Sequence, residues 1–155
     1  MDALQQEPRA FGESTEEHRA KSVQVFAKRL AAASGDQYIL GAFAEGNLVG
    51  TVGFGRNTRV KERHKARIWG VYVDPGHRGQ GVARQLLREV LERAASLEGL
   101  ERIILTVGEQ QDAARRLYAA AGFVVFGHEQ RALKIGEAYV SEDYMVFDLL
   151  SRAKL

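Results

Sequence analysis

The order of elements along the chain predicts an α+β, or mixed α/β, sandwich in which a mostly antiparallel sheet of about six strands carries helices on both faces. Three observations predict it. Two extended runs are joined by the turn-forming Glu45-Gly46-Asn47, a long amphipathic helix lies between two strand-like runs, and a shorter helix leads into the last two strands. At 155 residues, 45% hydrophobic and 27% charged, the chain suits a single domain spanning 1–155.

Each element has its own signal. Ser14-Thr15-Glu16-Glu17 is a capping box, because a Ser hydroxyl accepts from the amide three residues on while the Glu reaches back. Ala20, Val23, Phe26, Ala27 and Leu30 then recur at helical spacing, predicting one amphipathic helix that ends before Ser34-Gly35. Gln37 to Ala44 and Leu48 to Arg56 read as antiparallel strands, with Gly46 and Asn47 tolerating the positive φ of the turn. Ala66 to Val73 (ARIWGVYV) is rich in β-branched and aromatic residues, and Asp74-Pro75-Gly76 stops it. From Gly81 to Leu97, Val82, Ala83, Leu86, Leu87, Val90, Leu91 and Ala94 form a wide apolar helical face. Arg102 to Val107 reads as a core strand. Asp112 to Ala121 reads as a helix capped by Gly122. Phe123 to Phe126 and Tyr144 to Leu149 are the last strands, joined by a polar segment from His128 to Asp143.

Composition excludes several chemistries. With no Cys there are no disulfides, thiolate metal sites or cysteine acyl-enzymes. His18, His64, His77 and His128 have no metal-ligand spacing, so no metal is expected. A formal charge of +2 names no partner. No run approaches the roughly 20 apolar residues of a membrane span, and Met1 to Ala10 lacks the apolar core of a signal peptide. A soluble, cytoplasmic protein that binds no membrane is expected.

The segment from Val71 to Leu87 runs strand, turn, glycine-rich loop, helix. A helix start offers unpaired amides and partial positive charge, and glycines let a phosphate approach closely. Gly81 is followed by Val82-Ala83 rather than Lys-Ser or Lys-Thr, which argues against nucleotide hydrolysis. Arg84 stands where a dinucleotide fingerprint needs its third glycine. Arg78-x-x-Gly81-x-Ala83 instead resembles the acetyl-CoA signature of the GNAT superfamily of N-acetyltransferases. A second motif of that family, Asn-x-x-Ala-x-x-Leu-Tyr-x-x-x-Gly-Phe, is matched from Gln111 to Phe123 at every fixed position except Gln111. The likeness runs from about Pro8 to Leu149. The family's first strand and much of its first helix have no counterpart in this reading, which leaves a sheet edge open to a homodimer partner.

The resemblance implies a fold of the acyl-CoA N-acyltransferase type and a role for each motif residue. The strand ending at Val73 should splay from Arg102 to Val107, with the backbone of Val71 and Val73 pairing the pantetheine arm. The amides of Arg78, Gly79, Gln80, Gly81, Val82, Ala83 and Arg84 should cradle the pyrophosphate of acetyl-CoA, with the Arg78 guanidinium adding charge. Tyr118 is implied as the general acid for the departing thiolate, and Gln111 as a contact to the cofactor arm. The strand positions Arg67 to Gly70 hold no acid, so the general base stays open, with Glu109 and Asp112 as neighbouring carboxylates.

The reading is an acetyl-CoA-dependent N-acetyltransferase acting on a primary amine of a small molecule or protein, with a small-molecule or peptide acceptor as partner, by direct transfer in a ternary complex. A non-catalytic acyl-CoA sensor is the alternative. Arg56, Arg59, Lys61, Arg63, Lys65 and Arg67 face only Glu62, yet no aromatic interleaving accompanies them, so a solvated hairpin is expected and no nucleic acid. Trp69 is expected in the core.

Overall fold

A computed structural model of the chain describes residues 14–31 and 33–150. The expectations about the family's first strand and first helix fall on the preceding residues and lie outside this range.

The capping box forms as read: Ser14 Oγ accepts from Glu17 N at 3.1 Å and Glu17 Oε2 accepts from Ser14 N at 2.8 Å. The single N-terminal helix does not. It is two helices, α1 (Thr15–Ala20) and α2 (Val23–Ala31). Lys21 turns extended, at φ −81° and ψ 131°, and its N–H bonds back to His18 O, which ends the first helix. Apolar spacing survives such a break, so periodicity alone joined them.

Six strands form one sheet: β1 (Gln37–Ala44), β2 (Asn47–Arg56), β3 (Lys65–Val73), β4 (Arg102–Gly108), β5 (Val124–Ile135) and β6 (Ala138–Asp148), in the order β1-β2-β3-β4-β6-β5. Only β3 and β4 run parallel. The predicted class therefore holds. The first hairpin turns on Glu45 and Gly46, with φ of 50° and 80°, while Asn47 already pairs with Ala44. Positive φ at both central residues is the two-residue turn whose twist suits a hairpin. The left-handed position predicted for Asn47 thus belongs to Glu45.

The expected polar linker from His128 to Asp143 is instead mostly strand. No residue of β5 is buried, so it lacks the alternating buried face that marks a strand in sequence. Main-chain pairing with β6 holds it.

α3 (Val82–Ala95) lies across β1, β2 and β3, and α4 (Asp112–Ala121) packs beside it. Leu86, Leu87, Val90 and Ala94 of α3 meet Val52, Phe54, Ala66, Ile68, Ile103 and Leu105 from the sheet. Burying such side chains contributes about 1.5–3 kcal/mol each, which fixes the helix against this face. The ring of Tyr118 meets Phe123 edge-on, and Phe123 stacks obliquely on Phe147, so α4 covers the same face.

Trp69 corrects its expected core position. It points to the other face, is 51% exposed, and lies over Gly53, where a Cβ would meet its ring at 2.5 Å.

Candidate functional site

β3 and β4 pair only from Lys65↔Arg102 to Arg67↔Ile104. Beyond that register the two strands continue to Val73 and Gly108 without pairing each other, which opens a cleft. The cause is local. Thr51 pairs with Tyr72 but Gly53 pairs with Trp69, so Val52 faces both Gly70 and Val71. Gly70 has φ +60°, the left-handed first position of a glycine bulge, which bends and twists its strand. Thr51 Oγ1 donates to Gly70 O at 3.1 Å and pins it there.

The bulge also decides which main-chain groups face the cleft. Asp74 N donates to Val49 O at 2.9 Å, so the Asp74 amide faces β2. By the two-residue alternation of a strand, the polar groups of Val73 and Val71 face the open edge. Arg78 Nε donates to Val73 O at 3.0 Å from that side.

A tight 3₁₀ turn over Pro75–His77 follows, with Asp74 Oδ2 accepting from Gly76 N and contacting His77 Nδ1, each at 3.1 Å. Gln80 Nε2 donates to Gly76 O at 3.1 Å, closing the loop on itself. Gly79 and Gly81 take φ of +74° and +84°, and no atom lies within 4 Å of where a Cβ would stand on either. Their glycines answer to backbone conformation and leave open space in front of the helix start. Gly81 is the N-cap of α3 and supplies no side-chain bond to it, and no acid sits in the first turn. The first amides of Val82, Ala83 and Arg84 therefore have no capping side chain. This is a cradle with the fit that a diphosphate needs: main-chain donors, a helix dipole and no Cβ in the way. The carboxylate-free first turn adds no competing negative charge.

Tyr118 lies on the same helix-covered face, 6% exposed, and burial pushes its hydroxyl up to about 12. It stays protonated at neutral pH. Gln111 is the N-cap of α4 and makes no side-chain capping bond; its N–H donates to Gly108 O at 2.9 Å, tying α4 to the end of β4. Glu109 and Asp112 are both exposed.

Two acids that sequence reading passed over stand on the neighbouring hairpin. Glu142 is opposite Gly108, the last residue of β4, and opposite Glu129 on β5. Burial, helped by the Glu129 charge, raises its proton affinity. Tyr144 Oη donates to Glu129 Oε2 at 2.5 Å. Asp143 points the other way, into the core face. It is 6% exposed, accepting from Arg115 Nη2 at 2.6 Å and bonded to His128 Nδ1 at 2.8 Å. The His128 hydrogen bond, aided by Arg115, holds its carboxyl below the ordinary 3.8 despite burial. Its sequence signal was a charge in the phase of Met145 and Phe147, both buried.

Arg56 of the basic loop turns inward, to Asp36 at 3.5 Å and to the carbonyls of Arg63 and Glu98. It serves as a strut. Arg59, Lys61 and Arg63 are exposed. Among the described residues no group of three or more His, Cys, Asp or Glu is placed to hold a metal, and no helix is long and apolar enough to cross a membrane.

Comparison with known proteins agrees with this fold. The chain is 34% identical over 106 residues to the N-alpha-acetyltransferase RimI of Mycobacterium tuberculosis, covering 68% of this chain and 64% of that protein. It is 32% identical over 125 residues to the L-amino acid N-acetyltransferase AaaT of Escherichia coli, covering 80% of this chain and 75% of that one. The solved structure of yncA from Salmonella typhimurium, described as a putative acetyltransferase with its cofactor acetyl-CoA, shares the fold. Its TM-score is 0.77 at 21% identity, covering 90% of this chain and 79% of that one. The match to RimI thus spans just under two thirds of that relative's length. The family model for the acetyltransferase (GNAT) family matches residues 1–123, most of the chain, and the chain belongs to that family.

Proposed function

We propose that this chain is an acetyl-CoA-dependent N-acetyltransferase that moves an acetyl group directly onto a primary amine of a small molecule or peptide. The observation that carries the reading is the uncapped start of α3 behind two left-handed glycines, set at the mouth of the opening between β3 and β4. In this reading the amides from Arg78 to Arg84 hold the diphosphate and Arg78 sets its charge beside them. Val71 and Val73 pair the pantetheine arm; the Val73 carbonyl already accepts from Arg78 Nε but keeps a second lone pair. Gln111, at the start of α4, lies at the cofactor arm. Bound acetyl-CoA supplies a thioester, whose thiolate is a good leaving group.

Tyr118 Oη holds the proton for that leaving group. In water a phenol near 10 and a thiol near 8.5 are almost matched. Burial at about 12 widens the gap to about 3.5 pH units, or ~5 kcal/mol. The same dry surroundings raise the thiol too, so the proton moves as the sulfur gains charge. Glu142 replaces Glu109 and Asp112 as the best-supported base, because a carboxylate with raised proton affinity takes up an ammonium proton more readily. It lies on the face not covered by α3 and α4, through which an acceptor reaches the opening. An α-amine, at about 7.7–8.0, needs less help than a lysine amine near 10.4. Without cysteine, transfer proceeds in a ternary complex.

Calorimetric titration with acetyl-CoA, followed by thiol release with a panel of amines, tests this. Binding with acceptor-dependent release is expected, with intersecting rather than parallel double-reciprocal lines. Binding without release from any amine leaves the sensor reading, and no binding removes both.

A further inference from the structure

Asp143 is the buried charged residue among those described, and the mechanism above does not use it. Its strand neighbours on the same face, Met145 and Phe147, are apolar and buried, so stability alone favours an apolar residue there. Replacing a buried ion pair with packed apolar groups is often neutral or stabilising. Asp143 instead uses both oxygens to join three elements: Oδ2 to Arg115 on α4 and Oδ1 to His128 on β5. An ionised carboxylate only accepts, so His128 Nδ1 carries the proton.

Arg115 is one helical turn before Tyr118, and residues three apart share a helix face. The α4 N-cap makes no side-chain bond, so Arg115 is the polar side-chain tie from this helix to the sheet among the described residues. Among the described residues no hydrogen bond holds the Tyr118 hydroxyl itself, so the seat of α4 sets where that hydroxyl stands.

We propose that Asp143 is a positioning residue for Tyr118, fixing α4 to the β5–β6 hairpin through Arg115 so that the hydroxyl meets the opening between β3 and β4. This rests on the acetyltransferase reading and on Tyr118 as its acid. A displacement of about 1 Å can cost on the order of 10²-fold in rate, so a loosened helix is felt in turnover before it is felt in binding.

The test is a double-mutant cycle with Tyr118→Phe, reading kcat and acetyl-CoA Kd for each variant. Asp143→Asn keeps the shape and removes the charge; Arg115→Gln breaks the tie from the helix side should the first variant fold poorly. Each is expected to lower kcat about 10-fold, to leave acetyl-CoA Kd within about twofold, and to cost nothing further once Tyr118 is Phe. An equal loss in the Tyr118→Phe background, an unchanged kcat, or a Kd that worsens in step with kcat overturns the proposal while leaving the enzyme reading intact. A Tyr118→Phe enzyme with normal turnover removes Tyr118 as the acid and this role of Asp143 with it. A wild-type protein that binds acetyl-CoA and acetylates no amine refutes the enzyme reading.

Discussion

Between Val73 and Arg84 the site is made of main chain: amides, two left-handed glycines and a carbonyl, all within a dozen consecutive residues. Between Val124 and Asp148 it is made of side chains that meet only through strand register, Glu129 opposite Glu142 and His128 opposite Asp143. On the proposed reading the first region binds by backbone shape, so substitutions there should act through conformation and bulk. On the same reading the second works by charge placement, so conservative changes of charge should matter there while bulk matters less.

The largest effect expected is in the loop. Gly81→Trp forces a side chain onto φ +84° and into the open space before α3, and should abolish acetyl-CoA binding in a calorimetric titration. Wild-type affinity in that variant would erase the contrast between the two regions. Next, Tyr118→Phe should slow turnover by roughly 10²-fold with nearly unchanged acetyl-CoA affinity; normal rates would take the buried phenol out of the chemistry.

On the hairpin, Glu142→Gln should lower kcat/KM about 10-fold near neutral pH. A base acts only when unprotonated, so wild-type kcat/KM should fall as pH drops through the raised pKa of Glu142, and this limb should vanish in the variant. The groups facing it are Glu129 from β5, Tyr144 from its own strand and, through Tyr144, Arg67 from β3. Persistence of the limb would assign it elsewhere. Tyr144→Phe should cost least, about 0.5–1.5 kcal/mol of stability by denaturant melt, since it removes one exposed hydrogen bond to Glu129.

The same contrast explains what could be read in advance. The loop and the Gln111 to Phe123 stretch are contiguous, so their residue types sit side by side in the chain, and α4 begins and ends where read. α3 closes two residues before the expected Leu97. The first residues of β5 fall in the strand read from Phe123 to Phe126, while its continuation to Ile135 escaped notice because no buried residue there marks an apolar rhythm. The break at Lys21 escaped because φ and ψ at one residue leave no mark on spacing. Trp69 was misjudged because a large aromatic in an apolar run says nothing about which face it takes, and the bulge one residue later changes that face for everything after it.

That extra residue at Gly70 acts on the strand as a frameshift acts on a reading frame. Ala66 and Ile68 point inward before it, whereas after it Val71 packs on the core and Tyr72 stands opposite the outward Thr51. Deleting Gly70 would leave Val71 inward and Tyr72 outward, restore one unbroken alternation with β2, and remove the bend that lets β3 part from β4. A shortening by one residue, just ahead of the glycine-rich loop and without touching it, would thus seal the molecule.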